Sequence, residues 1–385
     1  MKILLSGGGT GGHITPILAL AHEIKLLNPQ ACVIYVGEKG SKFEGLTANN
    51  PDIDQIYTVR AGKLRRYYGD SALKRLLDVK TNVLNLRDSI YVLIGVPQAS
   101  RLLAKIKPDV VFLKGGFVGV PIGLAAAKKH IPIITHDSDA VPGLANKLVS
   151  KWVKIHATAL PPDVYDYPKS KTVQVGVLVE HNYVPVDEAL QKTYKQQIGV
   201  PVDKPLLLIT GASSGAVRIN QTIRGCIETL LADRPDLYVI HQVGKDKLAI
   251  YEDFSHNRLQ VFEFLKPMYI YMGAADLVVA RASGNTVAEL GIQGKPVIVV
   301  PSPFLAGGHQ LKNAEVLAGK GAAVVVQEEQ MDDAETGLEP TITNLLNDAP
   351  HREVLAKNLH EQIIPDSARQ LAVIILELAN IQTKK

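Results

Sequence analysis

Residues Ala274–Ala314, AADLVVARASGNTVAELGIQGKPVIVVPSPFLAGGHQLKNA, decide the fold. ADLVVA and VIVVP are short unbroken apolar runs, as strands buried on both faces require. Between them SGNTVAELGIQG opens on Ser283-Gly284-Asn285 and stops at Gly294, the start and stop signals of one short helix. Strand, tight loop and helix aim the first helical amides over the sheet edge, a site suited to an anionic or hydroxyl-rich ligand. Glu289 lies on that helix, where a carboxylate can accept hydrogen bonds from two neighbouring hydroxyls such as those of a ribose. After the second strand, His309, Gln310 and Asn313 gather near a further helix start, and all can bond sugar hydroxyls. From this stretch alone an ordinary β-α-β unit with Glu289 on a solvated face stays open.

The same grammar runs outward in both directions. KPLLLIT, GASSGAVRIN and a helix through TLLA precede LYVIHQVG and LQVFEFL; GAAVVV and three helical segments follow. In the first half KILLS, the loop GGGTGGH and ITPILALAHEIKLL read as strand, glycine loop and helix, with Pro16 placed in the first helical turn. ACVIYVG, DIDQIYTV, PDVVFLKGG and IPIITHDSD supply further apolar strands. The pattern pauses at TALPPDVYDYPKSKT, where the interdomain crossing is expected. The fold class is therefore α/β: two Rossmann-like, doubly wound domains facing a central cleft. The domains span 1–165 and 166–366, with a last helix, 367–385, packing back on the first.

A chain of 385 residues, 46% hydrophobic and 21% charged, is ordinary for a globular protein with two cores. Lysine and arginine exceed acids by 42 to 38, too little to argue for nucleic acid. Residues 60–107 are locally basic with interleaved apolar clusters; solvated helix faces and docking to an anionic membrane surface both fit. Cys32 and Cys226 suggest neither a disulfide framework nor a zinc site. MKILLSGGG is too short an apolar run for a secretory signal, and no run approaches the roughly 18 residues of a span. The expected location is the cytoplasm or the cytoplasmic face of a membrane.

Gly7, Gly9 and Gly12 satisfy G-x-G-x-x-G, and Glu38 could serve as the ribose acid, so a dinucleotide-dependent oxidoreductase is one reading. Against it, the loop is denser in glycine than that turn needs and ends in His13. The positive end of a helix favours a neutral imidazole, the form a general base needs. Gly211-Ala212-Ser213-Ser214-Gly215 matches a hydrolase nucleophile elbow, with Asp276 and His309 in triad order. A more economical use of Ser213 and the backbone there is to cradle a phosphate. Asp137-Ser138-Asp139 could hold a metal, or Ser138 or Asp139 could cap the helix that follows Pro142.

Taken together, GGGTGGHITP, GGF-V-x-x-P-x-G-L-A-A at Gly115–Ala126, GLANK at Gly143, R-A-S-G-N-T-V-A-E and HQLKNA resemble the MurG family of GT-B glycosyltransferases over almost the full length. The resemblance implies inverting transfer of N-acetylglucosamine from UDP-N-acetylglucosamine to undecaprenyl-diphospho-muramoyl-pentapeptide, at the inner face of the membrane, with no metal or other cofactor and no nucleic-acid partner. It further implies that Thr10, Gly11 and Gly12 lie near donor sugar and acceptor phosphates, with His13 as base. Ser213 and Gly215 would bind the donor diphosphate and Leu265 the uracil. Gly284, Asn285, Thr286, Val287, Ala288 and Glu289 would line the nucleotide site, with Gln310 and Asn313 near the sugar. Three positions depart from the family pattern. Asp139 stands for an asparagine that meets the sugar, Glu180 for an arginine, and GASSGA for G-G-S-Q-G-A. Arg218 is a candidate to offset Glu180. The departures keep open another lipid acceptor, such as diacylglycerol, and a non-catalytic sugar-nucleotide-binding subunit.

Overall fold

The computed structural model describes residues 1–9, 11–41, 44–62, 78–211, 215–304 and 308–383. The chain divides into two compact units, Met1–Glu180 with Ile364–Lys385, and His181–Ile363. In the first, β1 (Lys2–Gly7) leads to α1 (Gly11–Leu27), β2 (Cys32–Glu38), α2 (Glu44–Ala48) and β3 (Gln55–Val59). Then come α3 (Val79–Ile106), β4 (Val110–Gly115), α4 (Gly119–Lys128), β5 (Ile133–Asp137), α5 (Leu144–Val149), β6 (Ile155–Thr158) and β7 (Thr172–Gln174). The strands form one parallel sheet in the order β3-β2-β1-β4-β5-β6-β7.

The second unit starts with α6 (Glu188–Gln197), β8 (Leu206–Thr210), α7 (Val217–Asp233), β9 (Tyr238–Gln242) and β10 (Leu259–Phe262). It continues through α8 (Met268–Ala274), β11 (Leu277–Ala280), α9 (Gly284–Gln293), β12 (Val297–Val299), α10 (His309–Gly319) and β13 (Val324–Val325). The helices α11 (Leu338–Asn347) and α12 (Ala349–Glu361) close it. Its sheet, also parallel, runs β10-β9-β8-β11-β12-β13. In each sheet the strand order reverses beside the first strand, so a crevice opens at the carboxyl ends of β1 and β4, and again at β8 and β11. Those ends are where open parallel sheets bind ligands.

The strands read as apolar runs because helices cover both faces of each sheet. Leu4 and Leu113 point to one side of the first sheet with Ile122 and Val149; Ile3 and Phe112 point to the other, with Ile17 and Leu20. Each such side chain contributes about 1.5–3 kcal/mol when fully buried. The helix α13 (Ser367–Thr383) returns to this second face: Leu371, Ala372, Ile375 and Ala379 share a core with Ile17, Leu20 and Ile24. Arg369 also reaches to 3.5 Å from Glu23.

Three details correct the sequence reading. The first crossing lies at Glu180/His181 instead of 165/166, because β7 still pairs with β6 in the first sheet. The return crossing lies at Ile363/Ile364 rather than after 366. Helix α1 begins at Gly11, so Pro16 sits beyond its first turn, where its missing N–H cannot donate to the Gly12 carbonyl.

Gly116 fixes the loop after β4. Its φ is +76°, and a Cβ there would stand 2.1 Å from the Gly8 carbonyl oxygen. The two glycine-rich strand ends thus touch backbone to backbone. Gly116→Ala is expected to cost about 2 kcal/mol or more through left-handed strain and this clash. Urea unfolding followed by circular dichroism checks it; an unchanged midpoint contradicts it.

Candidate functional site

The carboxyl ends of β1, β4 and β5 bring together a cluster of polar groups in the first unit. Ser6 donates to the Val36 carbonyl at 2.9 Å and the Tyr35 hydroxyl to the Gly7 carbonyl at 2.8 Å, fixing where β1 stops. His13 follows two glycines in the first turn of α1, and its ring lies over Gly115: a Cβ on that residue would sit 3.5 Å from His13 Cδ2. Lys114, the last side chain of β4 before the glycines, is buried and donates from Nζ to Ser138 Oγ at 2.8 Å. Asp139 is half-buried in the same loop. Burial, then the Lys114 ammonium, pushes His13 down to about 4, while the Asp139 carboxylate pulls the other way. The imidazole is therefore neutral at physiological pH.

Asp137 organises the loop after β5. Its Oδ1 accepts from Gly143 N at 2.9 Å and Asn146 Nδ2 at 3.0 Å, and its Oδ2 from the Tyr167 hydroxyl at 2.9 Å. Asn146 Nδ2 also reaches the His136 carbonyl at 3.0 Å, and His136 Nε2 lies 2.8 Å from the Gly176 carbonyl. Burial raises the Asp137 carboxyl, opposed by these donors and by Lys114. The cap expected from Ser138 or Asp139 comes instead from Asp137, because the backbone turns after β5 with that residue facing the Gly143 amide. Among the described residues no group of three or more His, Cys, Asp or Glu side chains is arranged to hold a metal.

In the second unit Ser283 Oγ caps α9, accepting from Thr286 N at 3.4 Å, and Gly294 ends the helix with φ +65°. Gly284, Asn285, Thr286, Val287, Ala288 and Glu289 form its first two turns; Thr286 and Ala288 face the core, whereas Glu289 is half-buried. The loops beside it are tied by amides. Asn313 Nδ2 donates to the Ala282 carbonyl at 3.0 Å, and Gln310 Oε1 accepts from Ser302 N at 2.9 Å. Arg281 forms a buried ion pair with Glu328 and donates to the Val300 carbonyl at 3.1 Å. Gly215, with φ +66°, starts the loop into α7 pressed against the Val243 carbonyl, and Leu265 is buried after β10.

Thus His13, Gly11, Gly12 and Asp139 share the first unit's strand ends, while Gly215, Gly284 to Glu289, Gln310 and Asn313 belong to the second. Thr10 and Ser213 lie outside the described residues, as do 63–77 of the basic segment. Glu180 is half-buried, and burial raises its carboxyl. Arg218 is committed elsewhere, 3.0 Å from Asp332. Of the triad order Ser213, Asp276, His309, the last two lie at opposite ends of the second unit's strands, and Ser213 lies outside the described residues. Asp276 precedes β11, at the amino ends of the strands, and is held by Lys195 Nζ and Leu206 N, each at 2.7 Å. His309 follows β12, past the carboxyl ends. Sequence reasoning overlooked Lys114 and the Arg281–Glu328 pair. A lone lysine closing the apolar run VVFLK was the available signal for the first.

Two doubly wound units of this kind, each with a glycine loop at its strand reversal, are the architecture of a GT-B glycosyltransferase. The glycosyltransferase family 28 N-terminal domain matches residues 3–158 and the family 28 C-terminal domain residues 206–371. A Bacillus thuringiensis (strain Al Hakam) protein is 33% identical over 98% of this chain and 99% of its own. It is named UDP-N-acetylglucosamine–N-acetylmuramyl-(pentapeptide) pyrophosphoryl-undecaprenol N-acetylglucosamine transferase 2. A Flavobacterium psychrophilum protein of the same activity name is 31% identical over 99% and 98%. The crystal structure of Acinetobacter baumannii MurG superposes with a TM-score of 0.71 at 25% identity, covering 98% of this chain and 99% of that one. A UDP complex of S. aureus MnaA shares the fold at 14% identity and a TM-score of 0.69. The chain belongs to the MurG family of UDP-N-acetylglucosamine-dependent glycosyltransferases within family 28.

The buried histidines give a pH prediction. Burial leads in holding His13 and His156 near 4, His241 near 3 and His136 well below its ordinary value. Folded-state values below the unfolded 6.5 mean that the unfolded chain binds more protons. Stability is therefore fully present above about 6.5 and is lost as pH falls towards 4, each site steepening the loss by about 1.4 kcal/mol per pH unit. Urea midpoints at pH 7 and pH 5 check this; equal midpoints contradict it.

Proposed function

We propose that the chain transfers N-acetylglucosamine from UDP-N-acetylglucosamine to undecaprenyl-diphospho-muramoyl-pentapeptide, with inversion, converting lipid I to lipid II. The observation that carries it is the neutral His13 at the start of α1, in a chain whose relatives of that named activity match it nearly end to end. The acceptor hydroxyl oxygen forms the new bond to the anomeric carbon and gives its proton to His13. The bond from that carbon to the diphosphate oxygen breaks, and UDP leaves with the electron pair. Charge on the departing diphosphate is met by backbone amides, which can stabilise it without reorganisation. The first unit is assigned to the acceptor and the second to the donor, with Glu289 on the ribose hydroxyls and Gln310 and Asn313 shaping the sugar pocket. Thr10 and Ser213 are assigned to sugar and phosphate contacts, Leu265 to the uracil. The departures at Asp139 and Glu180 favour a second reading in which the same chemistry serves another lipid acceptor such as diacylglycerol.

His13→Ala should lower turnover roughly 10²-fold or more while sparing UDP affinity by isothermal titration. Near-normal turnover would remove His13 from the reaction. A radiolabelled UDP-sugar assay across muramoyl and diacylglycerol acceptors separates the two acceptor readings, and NADH binding without UDP binding would reject both.

Peripheral docking on the inner face of the membrane is part of the same proposal. No helix among the described residues is long and apolar enough to cross a membrane. On α3, however, Val83, Leu86, Ile90 and Leu93 recur at helical spacing on the exposed face, Leu86 at 66% and Leu93 at 72% exposure. Such an exposed apolar stripe, with Arg87 beside it, suits a lipid interface. Leu86→Glu with Leu93→Glu should abolish co-sedimentation with phosphatidylglycerol vesicles and leave UDP affinity unchanged; persistent binding refutes this surface.

A further inference from the structure

An interior glycine weakens a helix relative to alanine, and it persists where a backbone turn, a close approach or open space calls for it. Gly225 lies in the middle of α7, yet a Cβ added there would meet nothing within 4 Å. Its missing side chain opens on a cavity of about 770 Å³ between α7, α11 and the loop that leads into α11. That volume falls in the range of small-molecule sites, roughly 300–1,000 Å³.

Helical spacing explains the walls. Arg218, Thr222 and Cys226 follow one another at four-residue steps along α7, so they share a face. The first two are committed to Asp332: Arg218 Nη2 donates to its Oδ2 at 3.0 Å, and Thr222 Oγ1 to its Oδ1 at 2.6 Å. One turn on, Cys226 is buried, and with buried Met331 it gives the cavity an apolar, sulfur-lined floor. Burial, then the Glu339 carboxylate, pushes the Cys226 thiol up to about 12, so the floor carries no charge. Three carboxylates lie on the rim. Asp332 is held as described, and Asp333 turns back on its own loop, accepting from Thr336 N at 2.7 Å and Glu335 N at 3.0 Å. Among the described residues the Glu339 carboxylate takes part in no hydrogen bond or ion pair. It lies in the first turn of α11, and Thr343, one turn further on, lines the same cavity with a hydroxyl. Against the three acids the lining sets a single cation, Arg218, so the rim is acidic.

We propose that this cavity binds an amphipathic organic cation: a small molecule whose amine or guanidinium meets Glu339 and whose apolar body covers the Cys226–Met331 floor. An anion is repelled by the rim, and a wholly apolar guest would dry the carboxylate without giving it a partner. The site is separate from the transfer reaction, since none of its lining residues is assigned above to donor or acceptor.

The probe is 2-phenylethylamine, with 2-phenylethanol as its uncharged counterpart of the same size. Met331 is one of four methionines, so 13C-methyl methionine in the full chain reports the cavity floor in a simple spectrum, assigned through Met331→Leu. Titration with the amine should move the Met331 methyl signal saturably, and the alcohol should bind roughly fivefold more weakly. In Glu339→Gln the advantage of the amine should vanish. Gly225→Leu, whose Cβ has open space, should fill the cavity and abolish both shifts. An unmoved Met331 methyl overturns the proposal; so do equal affinities of amine and alcohol in the parent chain, or undiminished binding in Gly225→Leu. Gly225→Leu removes an interior glycine from a helix and Glu339→Gln is isosteric, so the test does not hang on a variant that loses its fold.

Discussion

The carboxylate of Asp137 is the contact on which the first unit's polar cluster depends. It lies at the last residue of β5, buried, and gathers an amide at the start of α5, the Asn146 side chain and the Tyr167 hydroxyl. Removing it would strand the Gly143 amide and the Tyr167 hydroxyl, and each stranded donor costs about 1–3 kcal/mol. Because Asp137 is held, the residue that follows is held too: Ser138 Oγ receives the Lys114 ammonium. A chain of fixed polar contacts thus runs from the loop after β5 to the end of β4, beside which the His13 ring lies. Preorganisation of this kind lets charge develop in the transition state without the protein having to move.

The second unit reaches the same end by different means. A serine cap anchors the start of α9, and neighbouring loops are pinned by Asn313 to the Ala282 carbonyl and by Gln310 to the Ser302 amide. The Arg281–Glu328 pair and the Val300 carbonyl hold the exit of β11. Polar residues that family resemblance assigns to sugar contact are therefore engaged in shaping the loops as well. A substitution at Gln310 would act through the position of the Ser302 loop in addition to any contact with a donor.

Much of this was legible in the chain itself. Unbroken runs such as LLLIT and VVFLK became central strands because only parallel strands covered on both faces tolerate such a sequence, and the glycine loops fell at the strand reversals where that topology puts them. What escaped detection was short or partnered at long range. The strands β6 and β7 have four and three residues, too few for a period, and they sit in a stretch whose prolines imitate a linker. The capping role of Asp137 over Asp139 depends on which carboxylate the turn brings to Gly143, a matter of backbone direction and not of spacing. Lys114 read as part of a strand end; its hydrogen-bond partner Ser138 stands 24 positions away on another strand's loop, beyond any local pattern.

The return of α13 to the first unit has a consequence for biogenesis. Ile17, Leu20 and Ile24 on α1 are covered by Leu371, Ala372 and Ile375, so one face of the amino-terminal core stays open until those residues have been synthesised. The inserted unit, His181–Ile363, contains its whole sheet in one continuous segment. The unit that opens the chain is thus closed by a helix encoded after its companion, whereas the companion carries every strand of its own sheet in one piece.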